Sequence, residues 1–173
     1  MKIRSVVIMV ALSLVGLAQG TRSERVVEAL NQLCTAMLRE NYPRAVDLMH
    51  PKVIQYFGGR EKAIAAFKSG AESVKAEGLV PTAAKASAPL GFWTGGSDLF
   101  TLVPTIEEAR LRGGRLSWKA HYIGISSDQG KSWVFVPSLA FQDDKAKNLK
   151  EFFPNWPPAL QLPPRERPKF EPN

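Results

Sequence analysis

Chemistry in this chain has to come from few side chains: two histidines, His50 and His121, a single cysteine, Cys34, and a scatter of tyrosines and carboxylates. His121 lies in the run Leu116-Ser117-Trp118-Lys119-Ala120-His121-Tyr122-Ile123-Gly124-Ile125, which holds no carboxylate. A general base and its partner must converge on one substrate atom. Neighbours on a strand point to opposite faces, so His121 and Tyr122 cannot form such a pair. His50 precedes Pro51 at a helix end, where capping the last carbonyls is its expected work. A metal site would have to join both histidines to a carboxylate such as Asp98 or Glu107, and no H-x-x-x-H spacing supports one. The sequence therefore assigns no catalytic residue, no metal ligand and no cofactor. Cys34 has no partner for a disulfide within the chain and falls on an apolar helical stripe, so it reads as a small buried hydrophobe.

Aromatic residues offer more. Tyr122 shares its strand face with Trp118, Ala120 and Gly124, and that face is either core or the wall of a pocket. Ala120 and Gly124 fill little space, so a slot between the two rings is expected. Trp93, Phe100, Trp118 and Tyr122 are the candidate ligand-binding residues, and the ligand they suit is small and apolar.

The stretch Ser126-Ser127-Asp128-Gln129-Gly130-Lys131-Ser132-Trp133 resembles the Asp-box, S-x-D-x-G-x-[ST]-W, of sialidases and other β-propellers. It occurs once, and 173 residues are too few for four blades of about 40 to 50 residues each. What it supplies is a hairpin turn: Asp128 accepts hydrogen bonds from turn N–H groups and Gly130 takes a positive φ. A lone Asp without neighbouring carboxylates makes a poor calcium cage.

These residues must be positioned by elements that the pattern marks out. Residues 1–20 have a basic start, an apolar run over 6–17 and small residues at Ala18 and Gly20, the signature of a signal peptide cleaved near Ala18–Gly20. Export to the periplasm or beyond is expected, without a membrane anchor. The formal charge is +7, with basic and acidic residues interspersed, which argues against nucleic acid as a partner. Three helices are predicted: from Thr21, with Val26, Leu30, Leu33, Cys34 and Met37 on one face and a Thr21/Glu24 capping box; from Pro43 to about Met49, capped by Asn41; and from Gly58-Gly59-Arg60-Glu61 to Gly78, with Ile64, Phe67, Ala71 and Val74 on one face. Strands follow over 79–87, 90–94, 98–110, 116–127 and 132–136, and their short turns imply an antiparallel meander. A helix over about 143–153 and a Pro-rich tail over 154–173 close the chain, the tail reading as an extended arm on the 21–153 domain.

This order, carried by the helix over 26–38, the Ala45-Val46-Asp47-Leu48-Met49-His50-Pro51 passage, Gly58-Gly59-Arg60-Glu61 and the long strands ending in the Asp-box, resembles the NTF2-like (SnoaL-like, cystatin-like) α+β cone fold. The resemblance implies helices closing over the concave face of a curved antiparallel sheet around a pocket, in a monomer or homodimer. Ketosteroid isomerases and polyketide cyclases of that superfamily use a pocket carboxylate with a Tyr or protonated Asp. On the 116–125 strand and the first helix that pair is absent. An exported, non-catalytic binding or accessory domain is thus the leading expectation. An isomerase, cyclase or hydrolase with an atypical acid–base pair, or an interaction module acting through the tail, are the alternatives.

Overall fold

The computed structural model describes the backbone of residues 3–141 and 149–173, and side chains from Thr21 onward. Its first element, α1 (Ile3–Leu38), carries a buried stripe of Val26, Leu30, Leu33 and Cys34, spaced by three and four as a helix packed on one face requires. The helix passes straight through Thr21, so the Thr21/Glu24 pattern does not mark its start. Among the described residues no helix is long and apolar enough to cross a membrane.

Asn41 caps α2 (Tyr42–Asp47), its Oδ1 accepting from the Arg44 N–H at 3.3 Å. The chain then re-enters helix at once as α3 (Pro51–Tyr56), which the sequence reading lacks. His50 is its N-cap: Nδ1 accepts from the Lys52 N–H at 3.2 Å. The expectation that His50 caps the end of the preceding helix is corrected here, because Pro51 ends nothing; it sits at the first helical position, where its missing N–H costs nothing. Gly59, at φ 112°, leads into α4 (Arg60–Ala76), and Gly78 at φ 82° follows its end.

Six strands form an open antiparallel sheet: β1 (Val80–Ala86), β2 (Phe92–Gly95), β3 (Asp98–Leu111), β4 (Gly114–Ser126), β5 (Val134–Pro137) and β6 (Lys169–Pro172). The fold class is α+β. The long β3–β4 hairpin is its axis, paired from Leu99–Ser126 to Leu111–Gly114. The meander is corrected at its first step, since β1 and β2 both pair with β3, end to end along one edge. Residues 87–91 do not reverse the chain: the Ser87 and Leu90 N–H groups still donate to the Pro104 and Leu102 carbonyls, while Pro89 has no donor to continue the ladder. On the other edge β5 and β6 lie end to end along β4.

Each sheet face buries its own core. Against α1 lie Leu99, Val103, Phe135 and Trp133, with Val26, Leu30 and Leu33. The opposite face, with Phe100, Leu102, Ile123 and Ile125, is covered by Phe141, which ends the 3₁₀ turn Ser138–Phe141, and by Leu149, Phe153, Trp156 and Leu160. The described part of the last helix is α5 (Leu149–Phe152); the rest of the helix expected over 143–153 lies outside the described residues. The Trp156 indole N–H donates to the Leu160 carbonyl at 3.0 Å, fixing the first part of the tail.

The Asp-box turn has the hydrogen bonds its residues imply. Asp128 Oδ1 accepts from the Lys131 and Ser132 N–H groups at 3.0 and 2.9 Å, Oδ2 accepts from the Ser132 hydroxyl at 2.6 Å, and the Gly130 N–H donates to Ser126 Oγ at 2.7 Å. Gln129 and Gly130 have φ of 64° and 87°. The Ser132 donors, followed by Ser126 and Lys131, hold the Asp128 carboxyl far below its usual range.

Candidate functional site

Register decides which side chains of the central hairpin meet. Glu107 lies opposite Trp118, Thr105 opposite Ala120, and Val103 opposite Tyr122. Paired residues and alternate residues share a face, so Thr105, Glu107, Trp118 and Tyr122 all face the side covered by α1. At the Val103 level that side is closed by helix side chains. Nearer the β3–β4 turn it opens: on α4 only Ala63 is fully buried, and Phe67, Ala71 and Val74 stand half-buried across a gap.

The gap is a cleft of about 370 Å³ between α1, α4, β1 and the hairpin. Met37 and Cys34 of α1 and Phe67, Ala71 and Val74 of α4 form its apolar walls, while Glu107, Trp118 and Tyr122 lie on its sheet side. The Thr105 hydroxyl donates to Glu107 Oε1 at 3.0 Å. Trp118 is the cross-strand neighbour of Glu107, and Tyr122 lines the cleft beside them.

The electrostatics follow from this enclosure. Burial raises the Glu107 pKa above its ordinary value, and the hydrogen bonds from Thr105, Trp118 and Tyr122 pull it back part of the way. Burial, then the nearby Glu107 charge, pushes the Tyr122 phenol well above its usual value. The same two causes push the Cys34 thiol up to about 12. It stays protonated at neutral pH and is no nucleophile.

A second cavity, about 360 Å³, opens at the outer edge of β4. Between β5, which pairs with 122–125, and β6, which pairs with 114–117, β4 residues 118–121 have a strand partner only on the β3 side. Pro164, Arg165 and Glu166 of the tail roof this gap, and Lys119 pairs with Glu166 at 3.2 Å. Glu107, Trp118 and Tyr122 also line it, so the two cavities flank the same three residues.

The four residues singled out from sequence do not form one wall. Trp118 and Tyr122 are brought together at the cleft. Phe100 lies on the opposite face, its ring centroid 5.6 Å from that of Trp156 and 5.9 Å from that of Phe153, and Trp93 pairs with it across β2–β3. The slot expected at Gly124 is filled. A Cβ there would lie 2.8 Å from Thr101 Cγ2 and 3.3 Å from both Phe135 Cε1 and Val26 Cγ2, so this glycine admits α1 and leaves no room for a ligand. His121 faces away from Tyr122 and is buried; burial, then Lys119, lowers its pKa. His50 is half-buried, edge-on to Phe153, 5.3 Å between centroids. Among the described residues no group of three or more His, Cys, Asp or Glu is placed to hold a metal ion.

Sequence reasoning named Glu107 only as a metal candidate and missed its place on the cleft. The signal was there in the alternation Val103, Thr105, Glu107, Ala109, which sets a carboxylate on the apolar face of a long strand. Compared with family models, curated proteins and solved structures, the chain finds no match, so a reading of its function rests on its own geometry.

Proposed function

We propose that this protein is a non-catalytic binding domain of the NTF2-like cone type, exported after loss of residues 1–20, that holds a small, mainly apolar molecule in the cleft between α1, α4 and the β3–β4 hairpin. One observation carries the reading: a half-buried carboxylate, Glu107, faces an apolar cleft of about 370 Å³ beside two aromatic side chains. Concave, mostly apolar cavities with one or a few polar groups are the usual form of small-molecule sites. Of the residues expected to line it, Trp118 and Tyr122 remain; Glu107, Phe67 and Met37 replace Trp93 and Phe100.

A second reading, proton transfer, draws on the same carboxylate, because a raised Glu pKa suits a general base near neutrality. Binding is favoured over it by what stands beside the carboxylate. An acid–base pair needs a second group that titrates near neutrality, and neither histidine lines this cleft, while burial pushes the Tyr122 phenol well above its usual value. Cys34, also on the cleft, remains a thiol.

The test is a titration of intrinsic tryptophan emission with a panel of apolar and amphiphilic small molecules, on the wild type and on Ala71→Phe. The substituted ring enters the cleft from α4, where Ala71 is half-buried and in contact with no tight core. Saturable quenching or a spectral shift in the wild type, lost in Ala71→Phe with an unchanged Tm, supports the reading. Equal responses in both proteins, or none to any panel member, contradict it. A product formed from any panel member and dependent on Glu107 would favour the enzyme.

A further inference from the structure

Charged groups removed from water are ordinarily matched by an opposite charge, because a carboxylate transferred alone into an apolar setting is costly. Glu107, half-buried on the cleft, has no such match. Its hydrogen-bond donor, Thr105, and its polar neighbours Trp118 and Tyr122 are all neutral. Two basic residues of the hairpin are engaged elsewhere: Arg115 pairs with Glu108 at 3.4 Å and with Glu171 at 2.6 Å, and Lys119 pairs with Glu166 at the tail. Among the described residues no Lys, Arg or His forms an ion pair with Glu107.

Around this unmatched anion the cleft presents what an organic cation needs. Trp118 and Tyr122 flank the carboxylate, and Phe67 faces them from α4. Aromatic faces attract ammonium groups through the ring quadrupole, more strongly where water is thin. The remaining walls, Met37, Ala71 and Val74, are apolar and suit a hydrocarbon body. A cleft of about 370 Å³ lies toward the small end of small-molecule sites, which suits a ligand of a single ring or a short chain.

We infer that the ligand of this cleft is a small hydrophobic amine, bound as the ammonium with its charge on Glu107 and its apolar body against Phe67, Met37 and Val74. The inference rests on the binding reading above and narrows it to one chemical class. The ammonium supplies the opposite charge that Glu107 lacks, and the Thr105 hydroxyl helps to hold the carboxylate in place. A neutral ligand of equal shape fills the same walls and leaves the anion unmatched. A carboxylate ligand is repelled.

Three probes on one skeleton test this: phenethylammonium, 2-phenylethanol and 3-phenylpropanoate, titrated by calorimetry into the wild type and Glu107→Gln. In the wild type the ammonium is expected to bind at least about tenfold more tightly than the alcohol, with the carboxylate weakest. Glu107→Gln should abolish most of that preference and change alcohol binding by less than about threefold. Alcohol binding equal to or tighter than ammonium binding in the wild type overturns the cation and leaves the cleft standing. Ammonium affinity unchanged in Glu107→Gln, with the variant folded by circular dichroism, also overturns it. If none of the three binds while other panel members do so in a manner blocked by Ala71→Phe, the cation alone has failed; if Ala71→Phe blocks nothing, the cleft reading has failed with it. The wild-type comparison stands even if the variant does not fold.

Discussion

Replacing Glu107 in two ways separates its charge from its role as an acceptor. In Glu107→Leu the Thr105 hydroxyl loses its acceptor, and the Trp118 N–H and the Tyr122 hydroxyl lose a neighbouring carboxylate. An orphaned buried donor costs about 1 to 3 kcal/mol, and water entering the cleft keeps each at or below the bottom of that range. Against that loss stands the relief of no longer burying a charge. A net destabilisation of roughly 1 to 3 kcal/mol is expected for Glu107→Leu. Glu107→Gln keeps an acceptor and removes the charge, so it should lie within about 1 kcal/mol of the wild type near neutral pH. The pH dependence has a definite sign. Burial raises the folded pKa of Glu107 above its ordinary 4.5, so the folded protein holds this proton where the unfolded chain has released it. The resulting stabilisation is fully present below 4.5 and is lost as pH rises through the raised value. Urea denaturation of wild type and Glu107→Gln at about pH 4.5 and about pH 8 should show the wild type gaining relative to the variant at the lower pH. A Gln variant as unstable as the Leu variant, or a difference that grows toward high pH, would refute the picture of a half-buried carboxylate among neutral partners.

Further perturbations follow from the same contacts. Gly124→Leu should cost about 1 to 3 kcal/mol in urea denaturation by pressing on Val26, Phe135 and Thr101, and should leave ligand binding at Glu107 intact in the protein that remains folded. Asp128→Ala removes the acceptor of the Lys131 and Ser132 N–H groups and should lower the Tm, with calcium altering neither protein; a calcium-dependent rise confined to the wild type would make Asp128 a ligand. The contribution of Asp128 is present above its ordinary 3.8 and fades as pH falls through its depressed value. N-terminal sequencing of protein recovered outside the cytoplasm should find a start near Thr21, whereas intact Met1 on a cytoplasmic form would remove the proposal of export.

Much of the architecture was legible because local rules and tertiary packing agree. The spacing of Val26, Leu30, Leu33 and Cys34 marks the buried face of α1, and Asn41, Gly59 and Gly78 punctuate α2 and α4 where caps and positive φ are needed. The hairpin turn at Asp128 was readable from its own hydrogen-bond chemistry. What stayed hidden depends on partners distant in sequence. Pro51 reads equally as a stop or as a first helical residue, and only the His50 cap and the turn that follows decide for α3. The pairing of Lys169–Pro172 with β4 was masked by its prolines, although an edge strand tolerates them where no donor is required. Glu107 was overlooked since a carboxylate on a strand reads as solvent-facing until the register sets it beside Trp118 and under α4. Trp93 and Phe100 were aromatic for the second core, formed by C-terminal residues whose packing partners lie far along the chain.

A crystal structure of the full domain soaked with phenethylammonium addresses the cleft most directly. The ligand should occupy the space between α1, α4 and the hairpin, its nitrogen within hydrogen-bond distance of Glu107 and its ring between Phe67 and Trp118. A cleft closed by Phe67 resting on Trp118 with no ligand inside, or a ligand found only at the β4 edge beneath Pro164 and Glu166, would contradict the assignment of Glu107 and its aromatic neighbours as the binding site.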